Sequence, residues 1–410
     1  MTYRNIGIVI GFSAIFLVFT SNIVMNSDHF LQGAPFKKHK NNVSKFVKKL
    51  KERIKHQVEV HHHDIKKKDD KKKDDKKTAI VQHEYNFADE GDNKRIDFNF
   101  AAAGDFGCSK NAENTVSNMK DKKPELVLPL GDLSYDKSAN CWLDLISPFS
   151  NELKVTLGFH DVNDGAPKMN QYNDTFNMKE PFGSFDYRHV HFVTMSSESE
   201  YQPGSAQYNF IIDDLNKASE NKDIDWIVVT TYGPFYTSPS THNAEKVLRE
   251  IYHPLFEKYD VDLVLQAHNH NYQRTYPISY NSAGDSANPI VKNQNMTGYN
   301  NDTKGTIFAI VGTGGESFYP LASQAPYVAN QIGGKFGFLD VDISNGNPHT
   351  KLTGTFYDNR GGNISDQFTI EKEIKNKDGD VQPELQSSSD GSEKSSSDRD
   401  YLPSCDNCDK

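Results

Sequence analysis

The chain has 410 residues and a formal net charge of −10, which gives no basis for binding nucleic acid through bulk positive charge. The first 80 or so residues and the last 40 do not read as packed domains, which leaves a single domain of roughly 275 residues, enough to bury a large core.

At the N-terminus Arg4 precedes an apolar run from Ile6 to Thr20 that stays fairly apolar as far as Val24. At roughly 19 residues the run is long for the apolar part of a signal peptide and just long enough to span a bilayer. No small-x-small cleavage site follows. Residues 1–30 therefore read as a signal anchor holding the chain to a membrane, with a removed signal peptide as the alternative. The lysines that begin at Lys37 favour the opposite orientation, because positive charge beside a span prefers the cytoplasm. The expectation is nonetheless a folded domain outside the cytoplasm, membrane-anchored or secreted. Residues 31–94 form a Lys/Asp-rich linker with little apolar face, as in Lys66-Lys67-Lys68-Asp69-Asp70. Within it, His61-His62-His63 reads as a solvated run rather than a metal site.

Apolar runs at Phe98 to Ala103, Leu126 to Leu130, Val190 to Met195, Trp226 to Thr230, Leu263 to Leu265 and Ile307 to Val311 read as buried strands. Between two of them, residues 244–256 carry apolar side chains at helical spacing, and Pro254 is expected to kink or interrupt that helix. Strands alternating with helices imply parallel crossovers in an α/β fold, to which later Gly-rich strands add antiparallel pairing. Two of the strands run into Gly-Asp: Gly104-Asp105-Phe106-Gly107 and Gly131-Asp132-Leu133-Ser134-Tyr135. In each the glycine permits a tight turn, and the aspartate projects from the carboxyl end of the strand, where open α/β sheets place their ligands. A third strand runs into Gln266-Ala267-His268-Asn269-His270, whose two imidazoles can turn toward one point. Two carboxylates, a tyrosine and two histidines form an oxygen-and-nitrogen donor set suited to Fe, Zn or Mn.

With Gly158-Phe159-His160-Asp161 and Val229-Thr230-Thr231-Tyr232, these segments fall in the order and spacing of five motifs, across roughly residues 95–372. The chain thereby resembles the calcineurin-like metallophosphoesterases, and within them the purple acid phosphatases. The resemblance implies two packed mixed β-sheets flanked by helices. It implies that one metal is held by Asp105, Asp132, Tyr135 and His270, all present here. A second would be held by Asp132, His268 and the positions of Phe159 and Tyr232, where the family has asparagine and histidine. Phenylalanine offers no lone pair, so the second site is degraded and its metal uncertain. His160 and His242 match family histidines that orient phosphate or protonate the leaving alkoxide, and carry the catalytic assignment. Tyr232 reads as a packing residue rather than a replacement ligand.

Cys108 and Cys141 follow the first and second Gly-Asp loops, and a disulfide between them would suit an exported protein, free thiols being the alternative. Cys405 and Cys408 lie in residues 373–410, a Ser/Asp-rich tail expected to be disordered. Two functions follow. The first is a metal-dependent phosphomonoester hydrolase acting on a phosphorylated small molecule, with iron in one firm site and zinc or manganese possible. The second is a non-catalytic surface binding module that keeps the phosphatase fold.

Overall fold

The computed structural model describes residues 95–300 and 303–375. The apolar N-terminal run, nearly all of the linker with His61–His63, and the tail with Cys405 and Cys408 lie outside them. No helix among the described residues is long and apolar enough to cross a membrane.

Two large mixed sheets form the domain. The first has six strands in the order β10 (Gly298–Tyr299), β15 (Ile364–Glu373), β14 (His349–Asp358), β13 (Gly337–Asn345), β1 (Phe98–Ala103) and β2 (Leu126–Pro129). The second has seven, in the order β12 (Val328–Ile332), β7 (Tyr272–Thr275), β11 (Ile307–Val311), β6 (Leu263–Gln266), β5 (Trp226–Thr230), β4 (Val190–Thr194) and β3 (Gly183–Tyr187). A small ribbon of β8 (Ile278–Ser279) and β9 (Ile290–Val291) stands apart. In the second sheet β4, β5, β6 and β11 run parallel, as the crossovers require, while β13, β14 and β15 of the first form an antiparallel meander.

Period-two alternation explains why the central strands are apolar throughout. Along β5, Trp226 and Val228 point into the core between the sheets with Phe100, Phe192, Leu265 and Val341. Ile227 and Val229 pack instead on the outer side, beneath α5 (Ala206–Glu220) and α6 (Lys246–Lys258), against Ile211, Leu215, Leu248 and Phe256. A strand buried on both faces has no polar positions to spare, and each such side chain contributes roughly 1.5–3 kcal/mol. The expected break at Pro254 does not occur, because α6 runs through it from Lys246 to Lys258. Burial of Leu248, Tyr252 and Phe256 along one stripe outweighs the hydrogen bond lost at the proline.

Earlier helices complete the domain: α1 (Lys110–Lys122), α2 (Asn140–Ile146), the short α3 (Phe159–Asn163) and α4 (Ala166–Phe176). The sheets meet at the carboxyl ends of their strands. The Gly104 amide, just past β1, donates to the Val311 carbonyl of β11 at 2.8 Å, and Asp105 N donates to Gly131 O at 3.0 Å. These two bonds bring the loops after β1, β2 and β11 together.

Candidate metal centre

Three of the predicted ligands sit in the left-handed backbone region that side chains avoid: Asp105 at φ 56°, Asp132 at φ 48° and His268 at φ 71°. Non-glycine residues in this region cluster where the surroundings over-determine them, as they do here. Gly131 (φ 99°) shows the crowding: a Cβ there would lie 2.7 Å from the Tyr232 ring and 2.8 Å from the Gly158 nitrogen. Only glycine lets the second loop pass.

The first ligand set converges. The Tyr135 hydroxyl lies 3.2 Å from Asp105 Oδ1, 3.4 Å from Asp132 Oδ2 and 3.1 Å from His270 Nε2. His270 Nε2 is 3.4 Å from Asp105 Oδ1. Neighbouring ligands on one ion, with bonds of about 2.0–2.2 Å, stand about 3 Å apart. His270 Nδ1 donates to the Ser317 carbonyl at 2.5 Å, which leaves Nε2 as the nitrogen facing the carboxylates. Asp105 and Asp132 are buried, and no lysine or arginine among the described residues pairs with either. Burial, with Asp105 and Asp161 nearby, pushes the Asp132 carboxyl up to about 8. Burial and the same two ligand carboxylates also push the Tyr135 phenol far above its ordinary value. Such a group of buried acids is short of positive charge, and a metal ion fits it.

The second set does not fit an ion as it stands. Phe159 is 48% exposed, and its ring stands nearly perpendicular to that of His160 at 5.5 Å. Tyr232 is buried, and its hydroxyl lies 2.6 Å from Asp132 Oδ2 and 2.6 Å from His268 Nδ1. The two donors that remain are thus bridged by a phenol. The reading of Tyr232 as a packing residue is therefore incomplete: its ring lies against Gly131 and Gly158, but its hydroxyl occupies the donors themselves. Burial pushes His268 down to about 4 against the pull of Asp105, with His242 adding repulsion.

Both predicted catalytic histidines border the centre. The His242 ring stacks on His268 at 3.9 Å, and Asn269 holds its loop by accepting from His242 N and donating to His242 O, each at 3.0 Å. The His160 ring lies 4.6 Å from that of Tyr135, with Nδ1 3.1 Å from Asp164 Oδ2, while its backbone amide donates to Asp132 Oδ1 at 2.8 Å.

Sequence reasoning missed two residues here. Tyr319 stacks face to face on His270 at 3.8 Å. Its only signal was the run of β11 into Gly312-Thr313-Gly314-Gly315, the same strand-to-glycine pattern as the Gly-Asp loops. Asp161, fully buried, accepts from Leu133 N at 3.1 Å and Gly158 N at 2.9 Å, and so braces the loop that carries Asp132 and Tyr135. Neither Asp161 nor Asn163 repairs the second ligand set, since Asn163 reaches toward Glu198 instead. Cys108 and Cys141 form the expected disulfide, with Cα atoms 6.0 Å apart.

The calcineurin-like phosphoesterase family matches residues 98–272. A probable purple acid phosphatase 20 of Arabidopsis thaliana is 27% identical over 216 residues, covering 47% of this chain and 50% of that protein. A probable inactive purple acid phosphatase 9 of the same plant is 25% identical over 362 residues, covering 70% of this chain and 52% of that one. The chain spans about half the length of these curated relatives. The purple acid phosphatase PPD1 from yellow lupin (Lupinus luteus) seeds has the same fold, with a TM-score of 0.60 at 20% identity over 69% of this chain and 55% of that one. Residues 98–272 thus match the calcineurin-like phosphoesterases, and the chain is similar to purple acid phosphatases in sequence and in fold.

Proposed function

We propose that this protein is a phosphomonoester hydrolase that holds one metal ion firmly on Asp105, Asp132, Tyr135 and His270. The observation that carries the reading is the convergence of three donors on the Tyr135 hydroxyl at 3.1–3.4 Å beside two buried, uncompensated carboxylates. An iron, zinc or manganese ion bound there would offset the charge of a phosphate monoester and make hydroxide available near neutral pH. Asp105 and Asp132 supply the negative charge that holds the ion, and the Ser317 carbonyl fixes the His270 tautomer. His242 and His160, on either side, bind the phosphate oxygens and deliver a proton to the leaving alkoxide. Tyr232 holds Asp132 and His268 together where the family has a second ion, so turnover falls below that of a two-metal enzyme.

The disulfide and the apolar N-terminal run support a domain exported from the cytoplasm and either tethered or released. A second reading, a non-catalytic binding module with the phosphatase fold, draws on the phenol bridge at the second site and on a relative named inactive. Metal content and turnover of a generic aryl phosphate, measured on one purified sample, separate the two. One ion per chain with turnover lost in Asp132→Asn supports the enzyme. An ion without turnover at any pH from about 4 to 9 supports the module.

A further inference from the structure

Three Asn-x-Ser/Thr triplets with x other than proline lie wholly among the described residues: Asn173-Asp174-Thr175, Asn295-Met296-Thr297 and Asn363-Ile364-Ser365. The first is part of helix α4. Of the other two, Asn295-Met296-Thr297 lies just before β10, and Asn363 lies in the turn after β14 with Ile364 and Ser365 opening β15; both asparagines are exposed.

A separate observation sets these two apart. Their middle residues, Met296 and Ile364, are among the most exposed large apolar side chains of the domain, at 45% and 57%. A single exposed apolar residue needs no explanation. Here, however, each is the sequence neighbour of an exposed asparagine, within reach of the first sugar that side chain would carry. At the first site the Asn295 side-chain oxygen accepts from the Thr297 amide at 3.3 Å, which closes a tight turn around Met296. At the second, Asn363 Nδ2 donates to the Arg360 carbonyl at 2.5 Å in an equally tight turn. Neither asparagine takes part in the candidate metal centre.

We propose that Asn295 and Asn363 carry N-linked glycans whose first sugars cover Met296 and Ile364. The donor is an oligosaccharide joined to a lipid diphosphate. The Asn side-chain nitrogen forms a bond to the anomeric carbon, the bond from that carbon to the phosphate oxygen breaks, the lipid diphosphate leaves, and one amide proton passes to a base of the transferring enzyme. The proposal rests on the export reading above, not on phosphatase activity. The Cys108–Cys141 disulfide belongs to the same oxidising route.

The test is expression of the full chain through the secretory pathway of a eukaryotic host, followed by digestion with a peptide N-glycosidase in heavy-oxygen water and peptide mass analysis. Conversion of Asn295 and Asn363 to labelled aspartate is expected. Asn295→Gln and Asn363→Gln should each remove one glycosidase-sensitive step in gel mobility, and the pair should remove two. Thr297→Ser should keep the sugar at Asn295, whereas Thr297→Ala should lose it. Unmodified Asn295 and Asn363 peptides, recovered from protein whose Cys108–Cys141 bond is formed, would overturn the sites themselves. Unmodified peptides with both cysteines free would overturn the export reading and the proposal with it.

Discussion

At the residue scale the centre turns on two tyrosines with opposite effects. Tyr135 adds a donor to the first ligand set, while Tyr232 takes two donors away from the second. Tyr135→Phe keeps the ring and removes the oxygen, so it should weaken metal retention by at least the roughly 10–100-fold that loss of a mere outer partner costs. If the ion is ferric, the visible colour that a tyrosinate ligand confers should vanish as well; colour that survives the change would mean that Tyr135 is not a ligand. The second site can be rebuilt. Phe159→Asn with Tyr232→His supplies the two missing donors beside Asp132 and His268 and removes the phenol that bridges them. Phe159 is 48% exposed, so its replacement costs little stability. Tyr232 is buried against two glycines, and losing its ring should cost about 1–3 kcal/mol. The double variant should bind a second ion and raise turnover on the order of tenfold or more, about 1.4 kcal/mol of barrier, with either single change doing less. A well-folded double variant with one ion would show that Tyr232 does not stand in the second metal's place.

At the scale of elements, the outer edge of the seven-stranded sheet is tied to its covering helix by charge. His191 on β4 lies 2.5 Å from Asp186 on β3 through Nδ1 and 2.9 Å from Asp214 on α5 through Nε2. Burial opposes its charge, but the two carboxylates outweigh burial and hold its pKa up at about 9. Because the folded value lies above the unfolded value of about 6.5, the stabilisation is fully present below that pH and fades as pH rises through about 9. Allowing for solvent around the exposed Asp186, the effect should be roughly 1–2 kcal/mol. Denaturant unfolding from pH 6 to 10 should show it in the wild type and not in His191→Gln; parallel curves for the two proteins would rule the clamp out. This triad was invisible in the sequence, since its members lie on three elements and carry no motif. The Gly-Asp loops were legible because local constraints impose them: a buried strand must end, a glycine must turn, and the next side chain is aimed. The stacking of Tyr319 on His270 and the bracing by Asp161 depend instead on which loops the two sheets bring together. Pro254 misled for the same reason, as its cost is local and the burial that overrides it is tertiary.

For the whole molecule, the candidate centre works as a joint between layers. Asp105 and Asp132 follow β1 and β2 of the six-stranded sheet, while His270 follows β6 of the seven-stranded one. An ion on these residues would fasten the two halves of the sandwich at their carboxyl ends and relieve the repulsion of two buried acids. A ligand that binds only the folded chain stabilises it by mass action, by about 2.7 kcal/mol at a hundred times its dissociation constant. For a domain of this size that amounts to a rise of roughly 4–5 °C in Tm. Removal of metal with a chelator at neutral pH should therefore lower Tm by about that much, and returning one equivalent should restore it. Asp132→Asn should melt at the same temperature with and without chelator, because a neutral amide weakens the ion's hold and also removes one of the two opposed charges. Tyr232→Phe should keep the chelator-sensitive shift, since that residue is no ligand of the firm site. If the wild-type Tm ignores the chelator while elemental analysis shows the ion lost, the ion does not join the sheets, and the convergence around Tyr135 is held by hydrogen bonds alone.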